Sequence, residues 1–177
     1  LGRRLDPAKN SWLQESFELS RATSGLSDSI LRHHYSLIPD YFLPEAVRAI
    51  AERTIGLDYL KGWVEQPPMG AGSVRIRAAG ARAVHIIAGN VPVVGVTTVI
   101  RNAITRSDAI IKAPANDPLT TAAGVRTMIE RAPEHPITRH VSVAYWKGGD
   151  ETIESYLYDP RRIEKIVAWG GFAGIKH

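Results

Sequence analysis

The sequence predicts an α/β fold in which a parallel sheet follows a helical N-terminal region. Before residue 70 the apolar residues recur at helical spacing, whereas after residue 71 short runs rich in β-branched residues alternate with helical patterns. Three successive strand–helix–strand units imply right-handed crossovers and parallel strands. We therefore expect a helical region with a linker at 1–70 and an α/β domain at 71–177 that is truncated at its C-terminal end.

The composition excludes several classes of protein. The chain has 177 residues, of which 44% are hydrophobic and 23% charged, as is usual for one soluble globular unit. No apolar run approaches the roughly 20 residues of a membrane span, and no secretory signal follows the basic N-terminus. We therefore expect a cytoplasmic protein with no membrane span.

The charged residues, cysteines and histidines of the sequence bear on nucleic-acid binding, cysteine chemistry and metal binding. The net charge is +4, but the basic residues are dispersed among acidic ones, so a nucleic-acid partner is not expected. The chain contains no cysteine, which excludes disulfides, thiolate metal sites and a cysteine nucleophile within these residues. The six histidines lack metal-ligand spacing, so no metal site is expected.

The N-terminal region, residues 11–53, is predicted to be helical. Ser27 and the two residues after it supply capping oxygens for one helix, and Pro44 begins another that runs to residue 53. Pro39 and Pro44 are interpreted as helix breakers. Residues 66–72 have the composition of a linker.

The predicted elements of the second part follow in order. An edge strand is expected at 74–77. The remaining strands are predicted at 83–88, 109–112, 141–145 and 165–169, with helices at 93–105, 119–131 and 151–157.

Polar groups stand where two neighbouring strands of this predicted sheet end. Gly89 and Asn90 follow the first strand, and Lys112 ends the second, at the edge where open parallel sheets bind ligands. The Asn90 amide could stabilise a developing oxyanion or bond the backbone of its own turn. The Lys112 ammonium could reach a ribose or phosphate, or instead form a salt bridge. The common dinucleotide fingerprint GxGxxG is absent.

Four motifs occur at these strand ends in a fixed order: HIIAGNVP at 85–92, IKAPANDP at 111–118, YWKGGD at 145–150 and VAWGG at 167–171. Together they resemble the aldehyde dehydrogenase superfamily, and most closely the fatty acyl-CoA reductases of the bioluminescence fatty-acid reductase complex. The resemblance covers most of the chain. It implies a Rossmann-like nucleotide-binding domain at 71–177.

The resemblance also implies an activity and a set of site residues. The family reduces a fatty acyl-CoA or acyl-carrier thioester to a fatty aldehyde with NADPH, through an acyl-enzyme on a cysteine. It implies that Asn90 is the oxyanion-stabilising amide, whereas His85 serves packing. Expected partners are acyl-transferase or synthetase subunits, and the full-length protein is expected to be a homo-oligomer. The implied cofactor-binding residues are Gly89, Lys112, Ala115, Trp169, Gly170 and Gly171.

Two departures from the family pattern bear on this hypothesis. Many NAD-using members carry glutamate three residues after the lysine, where this chain has Ala115. Without that carboxylate a 2′-phosphate is not repelled, which favours NADPH over NADH. The chain also lacks the nucleophilic cysteine, so we expect it to lie outside these residues. The alternative is a non-catalytic nucleotide-binding or complex-forming module of the same fold.

Overall fold

The computed structural model describes residues 1–67 and 72–170, and its N-terminal region is helical as predicted. Ser27 caps the second helix by accepting a hydrogen bond from the Ile30 N–H. Pro39 is not a breaker: it lies in the last turn of that helix, where it removes only the bond to the Tyr35 carbonyl. The N-terminal elements are a 3₁₀ turn (Gly2–Arg4) and helices α1 (Ser11–Thr23), α2 (Asp28–Tyr41), α3 (Pro44–Thr54) and α4 (Leu57–Lys61).

Two short strands, β1 (Val64–Gln66) and β2 (Val74–Ile76), form a separate antiparallel sheet. The edge strand predicted at 74–77 therefore exists, but it does not join the parallel sheet. Its partner β1 and helix α4 were not predicted, because elements of three and five residues show too little periodicity. Residues 68–71 of the predicted linker lie outside the described residues.

The parallel sheet has four strands in the order β5-β4-β3-β6. Every predicted strand and helix of this part forms within two residues of its expected bounds, which confirms the α/β class. One short helix, α7, was not predicted. The elements are β3 (Arg82–Ile86), α5 (Val93–Thr105), β4 (Asp108–Lys112), α6 (Thr120–Arg131), α7 (Pro136–Arg139), β5 (Val141–Ala144), α8 (Glu151–Leu157) and β6 (Lys165–Ala168).

The strand order reverses beside β3. From β3 the chain adds β4 and β5 on one side, then returns to place β6 on the other side of β3. In doubly wound sheets such a reversal opens a crevice outside the carboxyl ends of the strands. The topology thus places a potential ligand site at the ends of β3 and β6.

The hydrophobic core lies on one face of the sheet. We call the face that carries Ala109 and Ile111 the first face, and the face that carries Ile110 and Lys112 the second face. On the first face one cluster joins the sheet to α5 and α6, and a second joins those helices to α1 and α2. The right-handed return from β5 to β6 places α8 on the second face, where it contributes no buried residue.

None of the helices within the described ranges has the length and apolar character needed to cross a bilayer.

Candidate functional site

The carboxyl end of β3 is the centre of the candidate site. Lys112, the last residue of β4, pairs with Ile86 on one side of β3. On the other side the Trp169 N–H, just after β6, donates to the Ile86 carbonyl oxygen at 2.8 Å. Because Gly89 and Asn90 come three and four residues after β3 ends, the structure brings these predicted site residues to one edge of the sheet.

The Asn90 side chain is exposed in the turn between β3 and α5. It makes no hydrogen bond within residues 1–67 and 72–170, so the backbone bond considered as its alternative role is not formed there. Pro92 occupies the N-cap position of α5, and no side chain caps this helix. The turn therefore offers amide donors to an oxygen atom of a ligand.

Lys112 lies half-buried on the second face, with its Nζ 5.4 Å from the centre of the Trp146 ring. Trp146 is buried, and its Nε1–H donates to Glu154 Oε1 of α8 at 3.1 Å. In the part of the chain that the structure describes, no carboxylate lies within 4.0 Å of the Lys112 ammonium. The cation is therefore held against an aromatic face and keeps its hydrogen-bond donors for a ligand.

The loop after β4 contacts the turn after β3. Asn116 Nδ2 donates a hydrogen bond of 2.7 Å to the Gly89 carbonyl oxygen. The Thr23 hydroxyl of α1 donates to the Asn116 carbonyl oxygen at 2.9 Å, and Ala115 is exposed beside it. Asn116 is not predictable as a site residue from the sequence, because its partner Gly89 is 27 residues away and no local pattern indicates that contact.

The remaining predicted residues lie at the end of β6. The Trp169 ring is 48% exposed and lies 6.0 Å from the guanidinium of Arg101. A Cβ built on Gly170 would meet no atom of residues 1–67 and 72–169 within 4 Å. Gly171 lies outside the described residues.

Comparison with known proteins assigns the chain to a family. The model of the family described as acyl-CoA reductase (LuxC) matches residues 5–177. The chain belongs to this family. The expected resemblance to fatty acyl-CoA reductases is therefore confirmed.

Relatives of this LuxC-family chain carry related names. It is 40% identical over 105 residues to the long-chain acyl-protein thioester reductase of Vibrio harveyi, a match that covers 59% of the chain and 21% of that relative. For long-chain acyl-protein thioester reductase 2 of Photobacterium leiognathi the identity is 40% over 99 residues, or 54% of the chain and 20% of the relative. The reductase of Aliivibrio fischeri is 36% identical over 110 residues, with coverages of 62% and 22%. These matches span about a fifth of the length of the relatives.

A buried polar cluster lies between the loop after β4 and helices α1 and α2 of the LuxC-family chain. Asp117 accepts hydrogen bonds from the Thr120 hydroxyl, from the Thr120 N–H at 3.3 Å and from the Ser20 hydroxyl at 3.2 Å. Tyr35 bonds Thr120 and Ser16, each at 2.7 Å. Burial raises the pKa of the Asp117 carboxyl and of the Tyr35 hydroxyl. Since the cluster is buried, its role is to hold the loop after β4 against α1 and α2.

His85 lies on the first face, away from the ligand edge. It is half-buried beneath α5, and its Nε2 lies 3.3 Å from Asn102 Oδ1. Burial lowers the pKa of His85. These contacts fit the packing role expected for His85. Among the residues that the structure describes, no group of three or more histidine or carboxylate side chains could hold a metal ion.

Proposed function

We propose that this chain is the nucleotide-binding and oxyanion-stabilising part of an NADPH-dependent acyl-thioester reductase. In the proposed reaction a fatty acyl-CoA or acyl-carrier thioester is converted to a fatty aldehyde. One observation carries the proposal: this chain of the acyl-CoA reductase family has both Asn90 and Lys112 at the same edge of the sheet. Asn90 is exposed, and Lys112 has no carboxylate partner in the described ranges. The names of the relatives, which are long-chain acyl-protein thioester reductases, support the same class of substrate.

Asn90 acts on the substrate oxygen in this proposal. The nucleophile is a cysteine thiolate outside these residues, which contain no cysteine. When a thiolate attacks the thioester carbon, a C–S bond forms and the carbonyl π electrons move to oxygen. The Asn90 Nδ2–H donates to that oxyanion, which then collapses and expels the carrier thiolate to leave an acyl-enzyme.

The residues at the carboxyl edge fit a phosphate-bearing nucleotide. The Lys112 ammonium is assigned to the adenosine ribose or its phosphate, and the backbone at Gly170 lies at the same edge of the sheet, on the other side of β3. Bound NADPH supplies the hydride that reduces the acyl carbon. Asn90 again stabilises the negative oxygen, after which the C–S bond breaks and releases the aldehyde and the thiolate.

The environment of position 115 supports NADPH over NADH. Ala115 is exposed in the loop that follows Lys112, and it carries no charge. A carboxylate at this position would repel a 2′-phosphate bound near Lys112. The proposed preference for NADPH rests on the absence of a negative charge at position 115 and on the positive charge of Lys112.

The experiment that tests this function uses the complete native polypeptide that contains the chain. NADPH oxidation is followed with a long-chain acyl thioester, for the wild type and for Asn90→Ala. Loss of an oxyanion donor is expected to lower kcat about 10²- to 10³-fold, while the Kd of NADPH stays within about twofold.

Two results would contradict parts of the proposal. If Asn90→Ala keeps its kcat and loses only substrate affinity, Asn90 does not stabilise the oxyanion. If the wild-type polypeptide binds NADPH but reduces no acyl thioester, the chain is a binding module without catalysis.

A further inference from the structure

We propose that Asn116 is a positioning residue for the turn that carries Asn90, an inference that rests on the proposed oxyanion role of Asn90. The Asn116 side chain crosses from the loop after β4 and donates to the Gly89 carbonyl oxygen at 2.7 Å. That oxygen belongs to the same planar peptide unit as the Asn90 nitrogen. The hydrogen bond therefore fixes the orientation of the peptide plane from which the Asn90 side chain projects.

A second contact between the same two residues is steric. A Cβ built on Gly89 would overlap Asn116 Oδ1, so the amide lies directly against the glycine Cα. Gly89 does not have the left-handed backbone that requires glycine; in the described ranges the glycines with positive φ are Gly25, Gly56 and Gly149. A side chain at position 89 would therefore displace the Asn116 amide from its present position.

The loop that carries Asn116 is itself fixed by α1. Thr23 donates to the Asn116 carbonyl oxygen at 2.9 Å, and Ser20 donates to the adjacent, buried Asp117 at 3.2 Å. Asn90, by contrast, has no side-chain hydrogen bond within the described ranges, so its direction depends on its backbone. Asn116 thus connects a rigid element, the N-terminal helices, to the turn whose geometry matters for catalysis.

The first test replaces the donor without changing the shape of the side chain. In Asn116→Asp an oxygen replaces Nδ2 and repels the Gly89 carbonyl. In the complete native polypeptide we expect kcat for the acyl thioester to fall roughly 10- to 100-fold, because small misplacements of a catalytic group have effects of that size. The kcat is measured at saturating NADPH, because the new carboxylate lies next to position 115 and is expected to raise the Kd of NADPH as well.

Asn102→Asp is the matched control. Asn102 is buried, and its Nδ2 donates to the Ser107 carbonyl oxygen at 2.8 Å near the far end of α5. The same substitution there should lower Tm and leave kcat unchanged. If Asn116→Asp keeps the wild-type kcat, or if both variants lose kcat equally, the positioning role is wrong.

The second test uses the close approach of Asn116 to Gly89, and its main measurement is Tm rather than activity. Gly89→Ala should lower Tm, and Asn116→Ala in the same molecule should restore most of the loss, because the overlap disappears. The double variant should nevertheless keep the low kcat of Asn116→Ala. If the two losses in Tm are additive, the glycine is not required by Asn116 and the proposal fails.

The outcomes separate this inference from the proposed function. A wild-type polypeptide that reduces no acyl thioester contradicts both. An active wild type with an unimpaired Asn116→Asp variant contradicts the role of Asn116 alone.

Discussion

The two faces of the parallel sheet are covered to different degrees. On the first face Ala109 and Ile111 lie beneath α5 and α6, and Ile111 is fully buried. On the second face Ile166 is 51% exposed and no residue of α8 is itself buried, although the central Val84 is fully buried. The chain therefore concentrates its apolar packing on the face that supports the N-terminal helices. The other face, which carries Lys112, keeps open surface beside the candidate nucleotide site.

The largest expected effect comes from matched isoleucines on the two faces. Ile111→Ala removes a fully buried side chain, which should lower the free energy of unfolding by about 2–5 kcal/mol. Ile166→Ala removes a half-exposed side chain and should cost less than about 1 kcal/mol. Urea denaturation of both variants measures the difference. Equal losses would mean that the second face is packed as tightly as the first.

The sequence predicts the first face of the sheet better than the second face. The apolar runs at 83–88 and 109–112 are local signals, as is the cap Ser27, so strands and helices form close to their expected bounds. Whether a helix buries its apolar side is decided by distant residues. The 151–157 segment therefore predicts a helix but not that none of the residues of α8 is buried.

In the candidate site, too, some features can be predicted from local sequence patterns and others depend on distant residues. Asn90 and Lys112 could be placed at one edge of the sheet because strand ends can be inferred from local patterns. The hydrogen bond from Asn116 to Gly89 could not, since it joins two loops through one side chain. The cluster around Asp117 likewise depends on residues of α1 and α2 that are far away in the sequence.

The second prediction compares two lysines at opposite ends of the sheet. Lys112→Ala should raise the Kd of NADPH about 10- to 100-fold, because the loss of one charge-assisted hydrogen bond has an effect of that size. Lys165→Ala should change the Kd less than about twofold. Lys165 is exposed at the amino end of β6, away from the ligand edge. Fluorescence titration with NADPH and NADH measures both variants.

The comparison of the two nucleotides sharpens this prediction. A larger loss for NADPH than for NADH would assign Lys112 to the 2′-phosphate. Equal losses would assign it to groups that both nucleotides share. An unchanged Kd would remove Lys112 from the site.

The smallest expected effect concerns the buried Asp117, which holds the loop after β4 to the helices above the first face. Its pKa is raised by burial, against the opposing effect of hydrogen bonds from Thr120 and Ser20. The folded state therefore binds the proton more tightly than the unfolded state. The stability contributed by the neutral form is complete below the ordinary carboxyl pKa, about 4, and is lost as the pH rises through the raised pKa.

Asp117→Asn removes this titration while keeping a side-chain oxygen that can accept the bonds from Thr120 and Ser20. Relative to the variant, the wild type should therefore lose stability as the pH rises above about 4. Urea denaturation at a series of pH values measures the difference, with Asp58→Asn in the exposed helix α4 as control. If the difference between wild type and Asp117→Asn stays constant with pH, burial does not dominate at Asp117. A difference that instead grows in favour of the wild type as the pH rises would mean that Asp117 holds the loop as an ionised carboxylate.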